Sequence, residues 1–156
     1  MTSDRINRME QNSEDRFDLA GKVIGFAMKV HRTLGPGFLE KVYQRALHLE
    51  LIRAGCKAEM EVPIQVKYEG VVVGDFSADL LVENELIVET KAIRALSPAD
   101  EVQTVHYLTV SGKDVGLLLN FGASSLEFKK KFRVYRPPQA GAFMFRENSV
   151  ASVNSV

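Results

Sequence analysis

The chain has a single cysteine, Cys56, among its 156 residues, and it lacks any apolar run of membrane-spanning length. One cysteine excludes an internal disulfide framework and fits a reducing compartment. A membrane-spanning helix needs about 20 consecutive apolar residues, so no membrane crossing is expected. The first 18 residues are polar, carry charges of both signs and match neither a signal peptide nor an anchor. We therefore expect a cytoplasmic protein without membrane partners.

The chain also lacks an excess of charge of either sign, because 20 basic residues balance 20 acidic ones. A net charge of zero gives no general support to nucleic-acid binding, so any basic surface must be local. Zinc-type Cys/His spacing, a serine-triad motif and a phosphate-cradling loop are missing as well. What the chain does have is 46% hydrophobic residues, enough for one domain with its own core.

The hydrophobic pattern changes from helical to strand spacing along the chain. Helices are predicted over 17–34, 39–54 and 98–111, and strands over 58–67, 71–82, 86–93, 114–120 and 126–135. Ser97-Pro98 predicts the start of the third helix, which is expected to point Val102, Val105, Leu108 and Thr109 inward. Pro63 predicts an edge position for the first strand. The third strand is apolar on both faces, so we expect it to be central and parallel to the fourth. The order α-α-β-β-β-α-β-β predicts an α/β fold with a mixed β-sheet flanked by helices.

This pattern defines one domain, over residues 17–136. Residues 1–16 are expected to be disordered or a frayed helix. Residues 137–156 follow Pro137-Pro138, lack any hydrophobic period and are expected to form a flexible tail.

Charged residues interrupt the two most apolar strands of the chain. Asp79 precedes the apolar arm 80–82, and Glu89 and Lys91 follow the arm 86–88. If residues 83–85 form a three-residue loop, Asp79 lies opposite Glu89 and on the same face. A two-residue loop would pair it with Thr90 and place it on the other face. We favour the three-residue loop, which gathers both carboxylates and the lysine, with the Thr90 side chain on the opposite face.

Two carboxylates on one strand face repel, so one must hold a proton or a divalent cation must lie between them. Mg²⁺ suits such a cluster because it prefers oxygen ligands and keeps several waters. Lys91 shares that face and can approach a metal-bound water or a phosphoryl oxygen. The cluster is therefore suited to metal-assisted hydrolysis of a phosphodiester. The alternative is a structural cluster of Asp79, Glu89 and Lys91, and spacing alone does not decide between them.

Several motifs of the chain resemble those of a known family. Asp79-x9-Glu89-x-Lys91 resembles the core of the PD-(D/E)xK nuclease superfamily, and Gly37-Phe-Leu-Glu40-Lys-Val-Tyr43 resembles the signature of the bacterial GxxExxY family. Further matching stretches include Val30-His-Arg-Thr-Leu-Gly-Pro-Gly and Leu118-Leu-Asn120-Phe-Gly122. The resemblance covers roughly residues 19–135 and implies a restriction-endonuclease-like core.

The resemblance also implies roles for individual residues. Asp79, Glu89 and the Thr90 carbonyl would bind Mg²⁺, for which Mn²⁺ could substitute. Glu40 would be an added acidic ligand or a group that positions water. Lys91 would orient the attacking water and stabilise negative charge on the phosphate. The alternative for Glu40 is a plain surface position on its helix.

Two further groups could contact nucleic acid. Gln103 and Tyr107 lie four residues apart on one face of the third helix, a pattern that contacts the active site and the nucleic acid in related nucleases. Lys129, Lys131 and Arg133 alternate along the last strand and could form the local basic patch. The alternatives are a solvated glutamine above a packed tyrosine, and basic residues that protect an exposed sheet edge.

The leading hypothesis is a Mg²⁺-dependent nuclease that acts on DNA or, as a second choice, on RNA. The alternative is a nuclease-fold nucleic-acid-binding or regulatory protein in which cleavage is weak or absent. Because the net charge is zero, a homodimer or a partner protein would supply the rest of the binding surface.

Overall fold

The computed structural model describes residues 19–134, so the expectations for 1–16 and 137–156 lie outside the described residues. Within residues 19–134 there are three helices: α1 (19–34), α2 (Glu40–Arg53) and α3 (Pro98–Ser111). Five strands accompany them: β1 (Ala58–Tyr68), β2 (Val71–Val82), β3 (Leu86–Lys91), β4 (Val115–Asn120) and β5 (Glu127–Phe132). The predicted order of elements is confirmed. None of the helices within 19–134 has the length and apolarity that crossing a membrane requires.

The five strands form one mixed sheet in the order β1-β2-β3-β4-β5. Neighbouring strands are antiparallel except β3 and β4, which are parallel across the α3 crossover. As predicted, β3 is central and β1, which carries Pro63, is an edge strand. The sheet with helices on both faces confirms the predicted fold class, a restriction-endonuclease-like arrangement.

The alternation of side chains along β3 divides the core between the two faces of the sheet. Leu86 and Val88 pack beneath α1 and α2, together with Tyr43, Leu47 and Leu51 of α2. Ile87 points to the other face, where it packs with Leu108 of α3. Full burial of one such aliphatic side chain contributes about 1.5–3 kcal/mol. The two layers of packing leave the end of β3 that carries Lys91 at the rim of the core.

Helix α3 begins where the sequence predicted and presents a different face to the sheet. Ser97 caps it in a reciprocal capping box with Asp100. Val102, predicted to point inward, is 52% exposed, whereas Thr104 and Leu108 are buried. The physical reason is Gly116 of β4, which lets the helix approach so closely that an added Cβ would lie 3.1–3.2 Å from those two side chains. The outer stripe of α3 is therefore more apolar than a solvated face usually is.

At Asp79, the side chains of the β1–β2 hairpin change the face of the sheet to which they point. Leu80 and Val82 belong to the core beneath α1 and α2, but Ala78 belongs to the core beneath α3. Residues two apart share a face in a flat strand, so the strand pair is rotated at this point. On β1, Glu61 stands level with Asp79 and has a left-handed backbone with φ of 53°. This rotation turns Asp79 towards the rim of β3.

Candidate active site

The register between β2 and β3 determines what faces Asp79. Val82 pairs with Leu86 and Leu80 with Val88, which confirms the three-residue loop. The ladder ends at Leu80 and Val88, so Asp79 follows directly after the last pair of this register. The negative charge of Asp79 acts on Glu89, so the two carboxyl groups lie near each other at this rim of the sheet.

The carboxylate of Asp79 continues the contact between β2 and β3 where the backbone ladder ends. Its Oδ2 accepts a hydrogen bond from the Thr90 backbone N–H at 2.7 Å and another from Thr90 Oγ1 at 3.0 Å. The sequence placed the Thr90 side chain on the face opposite Glu89 and did not anticipate a contact between its hydroxyl and Asp79. The rotated strand brings Asp79 within reach of that hydroxyl. Asp79 is thereby held in one orientation on β3.

Glu89 is a buried carboxyl group with an unfulfilled hydrogen-bonding capacity. It is 7% exposed, and its Oε1 has no hydrogen-bond partner among the described residues. Burial, followed by the negative charge of Asp79, raises the pKa of Glu89 to about 8. An ionised carboxylate in this position is costly unless a proton or a cation compensates it. Glu89 thus has an open position for a positive charge.

A third carboxyl group reaches the pair from α2. Glu40 lies in the first turn of that helix, where the helix dipole favours an acidic residue. Partial burial, then the charge of Asp79 and a hydrogen bond to it, raise the pKa of Glu40. The Glu40 side chain is exposed, and it interacts with both Asp79 and Glu89, so that the three carboxyl groups form one acidic group.

Lys91 places a positive charge beside the acidic group of Glu40, Asp79 and Glu89. Its Nζ donates to Oε1 of Gln103 at 3.4 Å and lies 4.0 Å from Oδ1 of Asp100. The charge of Lys91 also lowers the pKa of Glu89 and of Glu40, against the larger raising effects. Lys91 therefore lies between the acidic group and the first turns of α3.

Helix α3 directs two predicted residues at the site. Gln103 accepts the hydrogen bond from Lys91. Tyr107, one turn later, has its pKa raised by burial and then by the charges of Glu89 and Asp79. Its ring lies 5.9 Å from that of Phe76, centroid to centroid. Both residues of the Gln-x-x-x-Tyr pattern thus face the acidic group.

Gln44 and Glu61, which were not predicted from the sequence as site residues, support the backbone at Asp79. Gln44, which is 2% exposed, donates through Nε2 to the Asp79 carbonyl and to Oε1 of Glu61, each at 2.9 Å. Glu61 also accepts hydrogen bonds from Lys41 and, at 2.8 Å, from Ser77. These bonds lower the pKa of Glu61 to about 2. The available signal for Gln44 was its position four residues after Glu40, on the same helix face.

The predicted basic stripe on β5 lies on the edge of the sheet, and two of its three residues contact acids. Lys131 pairs with Glu101 of α3 at 3.1 Å, and Arg133 pairs with Asp114 at 2.8 Å. Lys129 is exposed and pairs in register with Leu118, which itself pairs with Glu89. Since neighbouring strands are about 4.8 Å apart, Lys129 lies roughly 10 Å from Glu89 across the sheet.

The acidic group suits a hard divalent cation. Within residues 19–134, no group of three or more histidine, cysteine, aspartate or glutamate side chains is arranged so that it could hold a metal ion by itself. Mg²⁺ needs only one or two protein carboxylates, because water and substrate phosphates complete its shell. Asp79 and Glu89 satisfy that requirement, and the unpartnered Oε1 of Glu89 is a ready oxygen donor. The donor set therefore fits the cation that the sequence predicted.

The chain is similar to a known protein family and, more distantly, to solved structures. The sequence model of the PD-(D/E)XK nuclease superfamily matches residues 17–133. No curated protein matches the chain. The crystal structure of SSO0001 is similar, with 14% identity, a TM-score of 0.46 and coverage of 71% of this chain and 58% of that chain. An alkaline exonuclease from Laribacter hongkongensis has 12% identity, a TM-score of 0.44 and coverage of 74% and 63%. The chain thus spans less than two thirds of the length of either structure.

Proposed function

Because the chain belongs to the PD-(D/E)XK nuclease superfamily, we propose that it is a Mg²⁺-dependent nuclease that hydrolyses phosphodiester bonds in DNA. The observation that carries this proposal is the meeting of Asp79, Glu89 and Lys91 at the rim of β3, with Glu40 beside them. RNA is the second substrate to test. The Gly37–Tyr43 motif supports placement in the GxxExxY family, and a cytoplasmic location fits the single cysteine.

Asp79 and Glu89 would hold the cation, and the Thr90 carbonyl is a third proposed ligand. A bound Mg²⁺ ion lowers the pKa of its water and offsets negative charge on the phosphate. Glu40 is positioned to accept a proton from water, since its raised pKa makes it a stronger base than an ordinary glutamate.

Lys91 and the α3 pair would act on the substrate. Lys91 carries its ammonium group at the end of β3, where it can contact a phosphoryl oxygen and offset developing charge. Gln103 holds that ammonium group by accepting its hydrogen bond. Tyr107 would close the α3 side of the site, a role supported by the effect of the Glu89 and Asp79 charges on its pKa.

The proposal is tested by incubating the purified protein with single- and double-stranded DNA and RNA in Mg²⁺ or Mn²⁺. We expect cleavage by the wild type and a loss of at least about hundredfold in Asp79→Asn and in Lys91→Met. Asp75→Asn, an exposed carboxylate of the same strand, is the matched control and should keep full activity. Circular dichroism establishes that each variant is folded.

The same experiment distinguishes the alternative function. If the wild type binds strands but cuts none of them with either metal, the protein is a nuclease-fold binding or regulatory protein. If calorimetry detects no binding of Mg²⁺ or Mn²⁺ to the wild type, the metal-dependent nuclease is excluded. Sedimentation of the wild type, alone and with DNA, decides whether a dimer completes the binding surface that the neutral chain would otherwise lack.

A further inference from the structure

A groove of about 580 Å³ runs along the outer face of α3. One wall is a stripe of that helix, including Val102, Gln103, His106 and Tyr107, and the other wall comes from Val66 and Phe76 of the β1–β2 hairpin. The rotation of the hairpin at Asp79 creates the groove, because it swings the far half of the two strands over the helix. The volume is within the range of about 300–1,000 Å³ that small-molecule sites occupy.

The groove exposes large apolar side chains to solvent. Phe76 is 45% exposed and Val102 is 52% exposed, although both have apolar neighbours in the groove. The rings of Phe76 and Tyr107, one from each wall, are tilted by 42° with their centroids 5.9 Å apart, so they form an aromatic surface where the two walls meet. Aromatic side chains serve as stacking surfaces for the bases of single strands. The chemistry of the groove therefore fits a flat, largely apolar ring.

The groove is continuous with the candidate active site. Gln103 lines the groove and also accepts the hydrogen bond from Lys91. Tyr107 lines the groove, and the charges of Glu89 and Asp79 raise the pKa of its hydroxyl group. A ring in the groove would therefore lie beside the position of a phosphate held at Lys91. In a nucleic-acid strand, a base and its phosphate are joined through one sugar, which gives this spatial relationship.

We propose that the groove binds one unpaired nucleobase next to the scissile phosphate, so that the substrate is a single strand or a splayed strand end. This inference rests on the proposed nuclease function. The faces of a paired base are covered by its neighbours in the stack, and only an unpaired base can offer them to Phe76 and Tyr107. Stacking accepts every base, so the groove selects strandedness without selecting sequence.

The test is a scan with abasic sites. Single-stranded 12-nucleotide DNAs, each lacking one base at a successive position, are cut by the full chain in Mg²⁺, and kcat/KM is measured at each phosphate. We expect cutting to slow about 10- to 100-fold when the missing base flanks the cut on one side, and to change little elsewhere. Phe76→Leu should slow cutting of the intact strand by a similar factor and leave the flanking abasic strand unaffected. Phe128→Leu, an exposed phenylalanine on β5 outside the groove, is the matched control.

The outcomes separate this inference from the proposed function. If a missing base leaves kcat/KM unchanged at every position, the groove does not bind a base, and the proposed nuclease function still stands. The same conclusion follows if a duplex is cut as fast as the single strand. Absence of all cutting would overturn both. If Phe76→Leu does not fold, the abasic scan of the wild type decides alone. If sedimentation shows a wild-type dimer that Phe76→Leu dissociates, the groove is a self-interface and the inference is wrong.

Discussion

The side-chain amide of Gln44 donates to the main-chain carbonyl of Asp79 at 2.9 Å, and to Glu61 at the same distance. Glu61 is the residue of β1 that stands level with Asp79, with a φ of 53°. One buried side chain of α2 thus joins both strands where the hairpin rotates. Glu40 lies one turn before Gln44 on the same helix. Helix α2 therefore positions the Glu40 carboxyl group directly and the Asp79 carboxyl group through Gln44.

Gln44→Leu should therefore weaken both the fold and the chemistry. The change removes the Gln44 donor from the Asp79 carbonyl and one of three side-chain donors from Glu61, which costs about 1–3 kcal/mol. We expect the low end of that range, because the change also removes the unpartnered Oε1 of Gln44. The kcat for DNA should fall about tenfold with little change in KM, since Asp79 is displaced but the binding surface is not.

Urea unfolding and steady-state cleavage kinetics measure the two effects of Gln44→Leu. Gln65→Leu, on the exposed part of β1, is the control and should change neither quantity appreciably. If Gln44→Leu leaves both the unfolding free energy and kcat at the wild-type level, the positioning role is wrong.

The raised pKa of Glu89 makes the metal-free protein less stable in alkaline solution. The folded chain holds this proton up to a pH of about 8, whereas the unfolded chain releases it near 4.5. Between those values the unfolded state binds fewer protons, so the free energy of unfolding decreases as the pH rises, by up to ~1.4 kcal/mol per pH unit. Glu89→Gln should remove this part of the decrease.

Urea unfolding in a chelator between pH 5 and pH 8 measures this dependence in wild type and Glu89→Gln. Added Mg²⁺ should reduce the decrease in the wild type, because a cation can replace the proton, and should have less effect on the variant. Parallel pH profiles for the two proteins would show that Glu89 does not hold a proton in the folded state.

The sequence was sufficient for the features that depend on local pattern. Hydrophobic periodicity predicted the eight elements, and Ser97-Pro98 predicted the start of α3. The three-residue loop at 83–85 was favoured because it gathers the charged residues of the two strands, and the pairing of Val82 with Leu86 confirms that loop.

The sequence was insufficient for the features that depend on how the hairpin rotates. A left-handed backbone at a non-glycine residue such as Glu61 has no clear sequence signal. That rotation allows the Thr90 hydroxyl to donate a hydrogen bond to Asp79, and it turns Phe76 towards α3. The exposure of Val102 likewise followed from Gly116 on another strand, which no pattern within α3 could reveal.

The ion pairs of β5 predict unequal roles for its basic residues in DNA binding. Lys131 can contact a phosphate only after its ion pair with Glu101 is broken. Lys129 is exposed and lies in line with Leu118 and Glu89 across the sheet. Lys129→Ala should reduce the slope of log K against log salt by about 0.7 for a single strand, and Lys131→Ala should reduce it less. Fluorescence anisotropy with Asp79→Asn, which leaves the strand uncut, gives the slopes at several salt concentrations. Equal reductions by the two variants would contradict this assignment.

Gly122 holds the segment after Lys91 in place by allowing two backbones to touch. A Cβ at this position would collide with the backbone of Ile93. Asn120, which is fully buried, accepts hydrogen bonds from the N–H groups of Ile93 and Gly122, each at 3.0 Å. The N–H of Phe121 donates to the Lys91 carbonyl at 2.8 Å. Residues 120–122 therefore fix the exit of β3, where the Lys91 ammonium group takes its position.

Gly122→Ala should consequently lower the free energy of unfolding by about 1–3 kcal/mol, the usual cost of overpacking. It should also slow DNA cleavage by at least about tenfold, because a small displacement of Lys91 misplaces its charge. Gly25→Ala is the matched control: that glycine lies on the exposed side of α1 with no atom near its missing Cβ, so alanine should stabilise the helix by up to about 1 kcal/mol. Urea unfolding and cleavage assays on both variants check the prediction. If Gly122→Ala is as stable and as active as Gly25→Ala, the backbone of Ile93 shifts to make room without moving Lys91, and the prediction is wrong.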